Sequence, residues 1–278
     1  MPSQTSEIEW TSPATYTDIS YRTSSDGIAL ITIERPHKRN AFRPLTSAEL
    51  VHAFARARHD RSVRVVLLTG AGEQSFCSGA DLSERTGEGE ITEFGAIAPA
   101  SVLDVQVAIR RIEKPVIALV AGYAVGGGQV LHQVCDLSIA AENAVFGQVG
   151  PRVGSFDGGY GINLLAKQIG HKRAKEIWFL CRRYSAQQAY DWGLVNDVVP
   201  VPDLLATGVA WARELIAMSP AALRMLKNAV SAEEDGLHGV AHLANDGCQL
   251  YYGTDEAAEG AAAFMQKREP DFSDRTAF

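Results

Sequence analysis

No stretch of the 278-residue chain approaches the roughly 18 consecutive apolar residues of a membrane span. The first twenty residues carry acids but neither a basic nor an apolar region, so a secretory signal is not expected there and a cytoplasmic protein is. Basic residues are not in excess: the net charge of −7 argues against general affinity for nucleic acid or an anionic membrane. The four cysteines (Cys77, Cys135, Cys181, Cys248) lie 46 to 67 residues apart without a CxxC pair. That spacing suits buried thiols in a reducing compartment rather than a disulfide framework. No glycine stretch reads GxGxxG with an acid some 20 residues on, so a dinucleotide fold is not indicated. His238 and His242 stand four apart, but no Glu adjoins the first and no third ligand is evident. They read as exposed helix residues, and no metal is expected.

What remains is an ordinary globular composition, 46% apolar and 21% charged, with no internal repeats. Residues 1–15 are polar and read as a loose tail. "DISYRTSSDGIALITIERP" reads as a β-hairpin turning around Ser25–Gly27. "TSAELVHAFARARHD" has helical spacing, with Thr46 or Ser47 as its N-cap and Glu49 in its first turn. "VRVVLLTGAG" and "PVIALVAG" are continuous apolar runs that suit buried strands. "SVLDVQVAIRRIEK" is an amphipathic helix, and "CDLSIAAENAVFGQ" reads as a short strand pair. From Gly161 onward the text is mainly helical. Strand–helix alternation followed by helices predicts an α/β fold, with a core domain over 16–215 and a C-terminal helical extension over 216–278.

Three glycine-dense corners stand out. "SFCSGADL" (75–82) follows a strand, "GYAVGGGQVLH" (122–132) leads from a strand into a helix, and "FGQVGPRVGSFDGGYG" (146–161) places six glycines around the single acid Asp157. Glycine at this density weakens helix and strand alike, so it marks either tight packing or close approach of backbone to a ligand. Backbone N–H groups at such junctions can bind negative charge, and two of them from separate loops would form an oxyanion hole.

In order and spacing, "FCSGADL", "AGYAVGGGQ", "CDLSIAAENAVFGQ" and "AQQAYDWGLVNDVVP" resemble the enoyl-CoA hydratase/isomerase (crotonase) superfamily over nearly the whole chain. The resemblance implies a spiral of ββα units, trimers or dimers of trimers (hexamers), an acyl-CoA substrate, and oxyanion donors on the Ala80 and Gly127 amides. Hydratases of that superfamily carry two glutamates where this chain has Val130 and Gly150. Ordinary hydration is therefore not expected.

"FGQVGPRVGSFDGGYG", "HKRAKEIWFLCRRYSAQQA" and "LYYGTDEAAEGAAAFMQKREPDF" further resemble the naphthoate synthases (1,4-dihydroxy-2-naphthoyl-CoA synthases) of menaquinone biosynthesis. Those lyases close a ring by intramolecular Claisen (Dieckmann) condensation. This likeness implies bicarbonate as base, held by Gln148, Trp178 and the Gly150 backbone. Asp157 would protonate the leaving oxygen, its pKa raised by Phe156 and surrounding backbone, or else it merely caps a turn. Ser155 and Tyr252 would orient the substrate carboxylate, with Tyr252 supplied from the extension. Arg39, Ala41, Ser78, Asp81, Leu82, Arg85 and Lys267 fall at substrate-binding places. One departure stands out: Ala80 and Leu82 replace the usual residues of that subfamily, and the 83–100 loop has no tyrosine. A ring-opening relative, the 2-ketocyclohexanecarboxyl-CoA hydrolases, shares "GQVGP" and "EIW" and is the alternative, along with other acyl-CoA chemistry of the superfamily.

Overall fold

The computed structural model of the chain describes residues 8–81, 83, 100–155 and 159–273. Its main hairpin turns where the sequence placed it. Gly27 has a φ of 88° and donates its N–H to the Ser24 carbonyl at 3.1 Å, a backbone state that penalises any Cβ. Strand β1 (Trp10–Thr11), inside the stretch read as tail, pairs with the edge of β2 (Ile19–Ser24), and β2 pairs antiparallel with β3 (Ile28–Ile33). Helix α1 (Pro44–His59) starts ahead of the caps expected at Thr46 and Ser47. Proline at the first turn gives up only an N–H that the helix leaves unused. Thr46 Oγ1 instead accepts the Arg43 N–H at 3.2 Å.

The chain then climbs through repeated strand, strand and helix. The elements are β4 (Val65–Gly70), β5 (Ser75–Cys77), α2 (Val102–Arg111), β6 (Val116–Val120), β7 (Tyr123–Val125), α3 (Gly127–Gln133), β8 (Leu137–Ala141) and β9 (Val145–Gly147). Next come α4 (Gly161–Ile169), α5 (His171–Leu180), β10 (Tyr184–Ser185), α6 (Ala186–Asp191), β11 (Asp197–Val199) and α7 (Leu204–Ile216). In the pairs β4–β5, β6–β7 and β8–β9 the first strand joins a seven-stranded sheet, β1-β2-β3-β4-β6-β8-β11, and the second a four-stranded one, β10-β9-β7-β5, while β10 and β11 follow in the reverse order. This is the expected α/β spiral of ββα units. The pair read from "CDLSIAAENAVFGQ" needs correction: β8 lies between β6 and β11 while β9 lies between β7 and β10, so the two never pair. The turn closed by the Ala144 N–H on the Ala141 carbonyl carries the chain between sheets.

Both faces of the large sheet are covered, which explains its unbroken apolar runs. Ala29, Ile31, Val66, Leu68, Ala118 and Val120 face one buried cluster; Ile28, Leu30, Val65, Leu67, Ile117 and Leu119 face the other. On the second face α7 lies so close that a Cβ on Gly208 would sit 2.6 Å from Leu119 Cδ2.

Cα proximity divides the chain into two compact units, Met1–Pro220 and Ala221–Phe278. The second holds most of α8 (Pro220–Glu234), with α9 (Leu237–Tyr251) and α10 (Asp255–Gln266). Asp246 on α9, 4% exposed, clasps Arg224 at 2.6 Å and also Asn228, tying α9 to α8. No helix among the described residues is long and apolar enough to cross a membrane.

Candidate active site

Two of the three glycine corners meet. Gly79 has a φ of 91°, and a Cβ there would lie 3.1 Å from the Gly127 nitrogen. Gly128 packs tighter still, since its Cβ would fall 1.9 Å from the Cys77 carbonyl oxygen. Only glycine lets the start of α3 sit directly on the end of β5. At the other side, Phe42 forms an isolated parallel bridge with Ala80: the Phe42 N–H donates to the Gly79 carbonyl and the Asp81 N–H to the Phe42 carbonyl, both at 2.9 Å. A bridge of this kind turns the Ala80 N–H away from Phe42. The Gly127 N–H, first in its helix, has no carbonyl a turn earlier to bond. Ala80 is exposed and Gly127 half-buried. Thus the two amides assigned to oxyanion binding lie on touching loops.

A buried charge network holds this corner in place. Arg35, 4% exposed, donates to the Ala41 carbonyl at 2.5 Å and to Asp81 Oδ2 at 3.1 Å, and lies 3.7 Å from Asp18 Oδ2. Asp18 also takes both arms of Arg43, at 2.8 and 3.0 Å, and the Thr46 hydroxyl at 2.6 Å. Asn40, fully buried, donates to the carbonyls of Ala71 and Ser75 and accepts the Arg35 N–H. Arg39 and Asn40 both adopt positive φ, 52° and 54°. Glu49, read as a first-turn acid, is buried and accepts the N–H groups of Thr17 and Asp18 at 2.8 Å.

Burial alone would raise the Asp18 carboxyl, but hydrogen bonds from Arg43 and Thr46 and the two guanidinium charges hold it below its ordinary value. The Ser83 hydroxyl, against partial desolvation, and then the Ser83 N–H and Arg35 do the same for Asp81. Carboxylates depressed in the folded state stabilise above their unfolded pKa, about 4, and that stability is lost as pH falls through the folded values. Acid titration followed by circular dichroism is therefore expected to show an unfolding limb below about pH 4 that Asp18→Asn shortens.

Among the other predicted substrate residues, Arg39 is exposed and lies over the Tyr123 ring at 5.8 Å, beside a cleft of about 530 Å³ between Pro36–Asn40 and residues 71–75. The Ser78 N–H bonds the Arg39 carbonyl at 3.2 Å, and Ala41 is buried. Asp81 gives its carboxylate to Arg35 and Ser83. Leu82, Arg85 and Asp157 lie outside the described residues, as does most of the 83–100 loop. Tyr252 and Lys267 belong to the second unit. Tyr252 caps α9, 70% exposed, with its ring 6.4 Å from that of Tyr251, and Lys267 caps α10 at a φ of 55°.

At the third corner the carbonyls of Gly147, Gln148 and Gly150 all accept hydrogen bonds. After β9, Gly150–Arg152 make a single 3-10 turn whose Gly150 carbonyl accepts the N–H groups of Val153 and Ser155 at 3.1 and 2.9 Å. Arg152 Nη2 donates to the Leu180 carbonyl at 3.4 Å and Arg183 Nη1 to the Gln148 carbonyl at 3.3 Å, so the segment is strapped to the end of α5. Trp178 lies on that helix and packs its ring on the main core. Yet Trp178 Nε1 and both amide atoms of Gln148 are buried with no hydrogen-bond partner. Leaving a buried polar atom unpaired costs roughly 1–3 kcal/mol, so these three atoms on two residues are open to the donors and acceptors of a ligand. Bicarbonate fits: the indole and amide N–H groups can donate to an anion, and the Gln148 carbonyl can accept its hydroxyl. At the other hydratase-glutamate place, Val130 is 1% exposed and packs on Gly161, where a Cβ would meet Val130 Cγ2 at 2.5 Å.

Other nearby groups are inert. Burial pushes the Cys77 thiol up to about 12 and pulls the His132 imidazole down to about 3, so both are neutral near pH 7. No pattern in the sequence singles out Gln106 on α2, 2% exposed, whose Oε1 accepts the Tyr160 N–H at 3.1 Å. It anchors the chain just after the Asp157 segment, while the Ser155–Gly150 bond anchors it just before.

An α/β spiral with paired loop amides at one end defines a class of enzyme that handles carbonyl oxyanions. The sequence model of the enoyl-CoA hydratase/isomerase family matches residues 23–275. Among solved structures, the chain is similar to an enoyl-CoA hydratase from Bacillus anthracis, with 33% identity, a TM-score of 0.74, and coverage of 92% of this chain and 98% of that one. It is also similar to an enoyl-CoA hydratase subunit I from Geobacillus kaustophilus (32%, TM-score 0.73, 94% and 99% covered). A third is an enoyl-CoA hydratase/carnitine racemase from Magnetospirillum magneticum (30%, TM-score 0.72, 93% and 96% covered). The chain belongs to the enoyl-CoA hydratase/isomerase family.

Proposed function

We propose that this member of the family is a naphthoate synthase-like lyase acting on an aryl-succinyl-CoA such as o-succinylbenzoyl-CoA. The observation that carries the reading is the unpartnered Gln148 amide and Trp178 indole beside a glycine, where a hydratase has a glutamate. A proton alpha to a thioester is weakly acidic, so its removal needs a base and a stabilised enolate. The Ala80 and Gly127 amides take the thioester oxygen and stabilise the negative charge that develops on it. Gln148, Trp178 and the Gly150 N–H would hold bicarbonate, which would supply the base when bound. The enolate carbon then bonds to the aryl carboxyl carbon. Asp157 gives one proton and the proton taken from the α-carbon supplies the second, so that a carboxylate oxygen leaves as water, while Ser155 orients that carboxylate. The cleft beside Arg39 suits the polar, phosphorylated end of coenzyme A.

Conversion of o-succinylbenzoyl-CoA to the naphthoyl thioester, followed by its absorbance, tests the reading. If the chain instead opens a cyclic β-keto acyl-CoA and leaves o-succinylbenzoyl-CoA untouched, the hydrolase reading replaces it.

A further inference from the structure

Gln129 sits two residues into the helix that begins with the Gly127 amide, and its side chain is fully buried. In a helix buried almost all round, such a position belongs to an apolar residue unless the amide is needed. Gln129 Oε1 accepts the Gly147 N–H at 3.2 Å, while its Nε2 is buried without a partner. Gly147 immediately precedes Gln148. Its carbonyl is held as well, by the Gly126 N–H at 3.1 Å, and the Gln148 carbonyl is held by Arg183 at 3.3 Å. One helix turn on, the His132 ring packs on Phe146 at 5.0 Å, just ahead of Gly147. The exit of β9 is thus gripped on successive backbone groups, while both polar atoms of the Gln148 amide are left without a partner.

We infer that Gln129 is a positioning residue for the anion site: its carboxamide fixes the Gly147–Gln148 backbone and so aims the Gln148 amide, joining that site to the helix that carries the Gly127 amide. This rests on the anion-binding reading of Gln148 and Trp178. Without the Gly147 bond the strand end gains freedom and the Gln148 amide must be ordered by the ligand itself, which weakens binding.

The test uses the full chain with Gln129→Met, which keeps length but loses the strong acceptor, and Gln129→Asn, which keeps the amide but shortens its reach. Binding of 13C-labelled bicarbonate is measured by NMR titration, and exchange of the Gly147 amide by hydrogen–deuterium exchange. The dissociation constant is expected to rise about 10- to 100-fold, the range carried by groups that support a bound ion's ligands. Gly147 exchange is expected to speed up, with coenzyme A affinity changing less than threefold, roughly the measurement's resolution. Should the Met variant not fold, the Asn variant decides. Wild-type binding that both folded variants match within about twofold would overturn the inference alone. An absence of saturable bicarbonate binding in the wild type would overturn the inference and the anion reading together.

Discussion

Asp157→Asn is expected to lower kcat by about 10²- to 10⁴-fold, the range a positioned proton donor contributes, with KM little changed. Asparagine keeps the size and hydrogen-bonding outline of the acid but cannot release a proton. The enolate still forms, because the Ala80 and Gly127 amides and the base site are untouched. Exchange of the substrate's α-hydrogen with solvent should therefore persist while the ring-closed product fails to accumulate. Steady-state kinetics paired with deuterium wash-in reads both arms. Equal loss of exchange and turnover would place Asp157 in the first step rather than the last.

Gly127→Ala carries the second large effect. A Cβ at that position would lie 2.6 Å from Phe42 Cζ, closer than side-chain atoms approach. The Phe42 backbone forms an isolated bridge with Ala80, so the displaced ring disturbs both amides at once. Loss of one oxyanion donor costs about 10²- to 10³-fold in kcat, and at least that is expected here. The Phe42 ring can swing, so unfolding by urea should move far less than the rate. A variant that folds normally and retains more than about a tenth of wild-type kcat would argue that the Gly127 amide is not a donor.

Much of the scaffold could be read without coordinates, because buried parallel strands write themselves as unbroken apolar runs such as Val65–Leu68 and Val116–Val120. Partnership could not. Nothing in the apolar spacing of Leu137–Ala141 and Val145–Gly147 says that they enter different sheets, since that depends on neighbours far along the chain. The start of α1 was obscured because Thr46 and Ser47 look like caps while the fold uses Pro44.

For the site, glycine density located the three corners, and the chemistry of Gln148, Trp178 and Gly150 came from resemblance. What stayed hidden is the polar support: Arg35, Asn40, Gln106 and Gln129 sit in segments whose polar residues look solvated, yet each is buried and bonds backbone that carries the site, Arg35 bonding the Asp81 carboxylate as well. Such residues look like surface in a sequence because their partners are carbonyls and amides, which leave no trace in residue type.

In the proposed mechanism, a bound anion held by Gln148 and Trp178 does the work of a missing glutamate. Its most direct test is the rate of α-hydrogen exchange in an acyl-CoA, measured in D2O while bicarbonate is added to carefully decarbonated buffer. Saturable activation, abolished by Gln148→Leu in a folded protein, is the expected result. An exchange rate that is the same with and without bicarbonate would contradict the claim and return the base to a side chain of the protein.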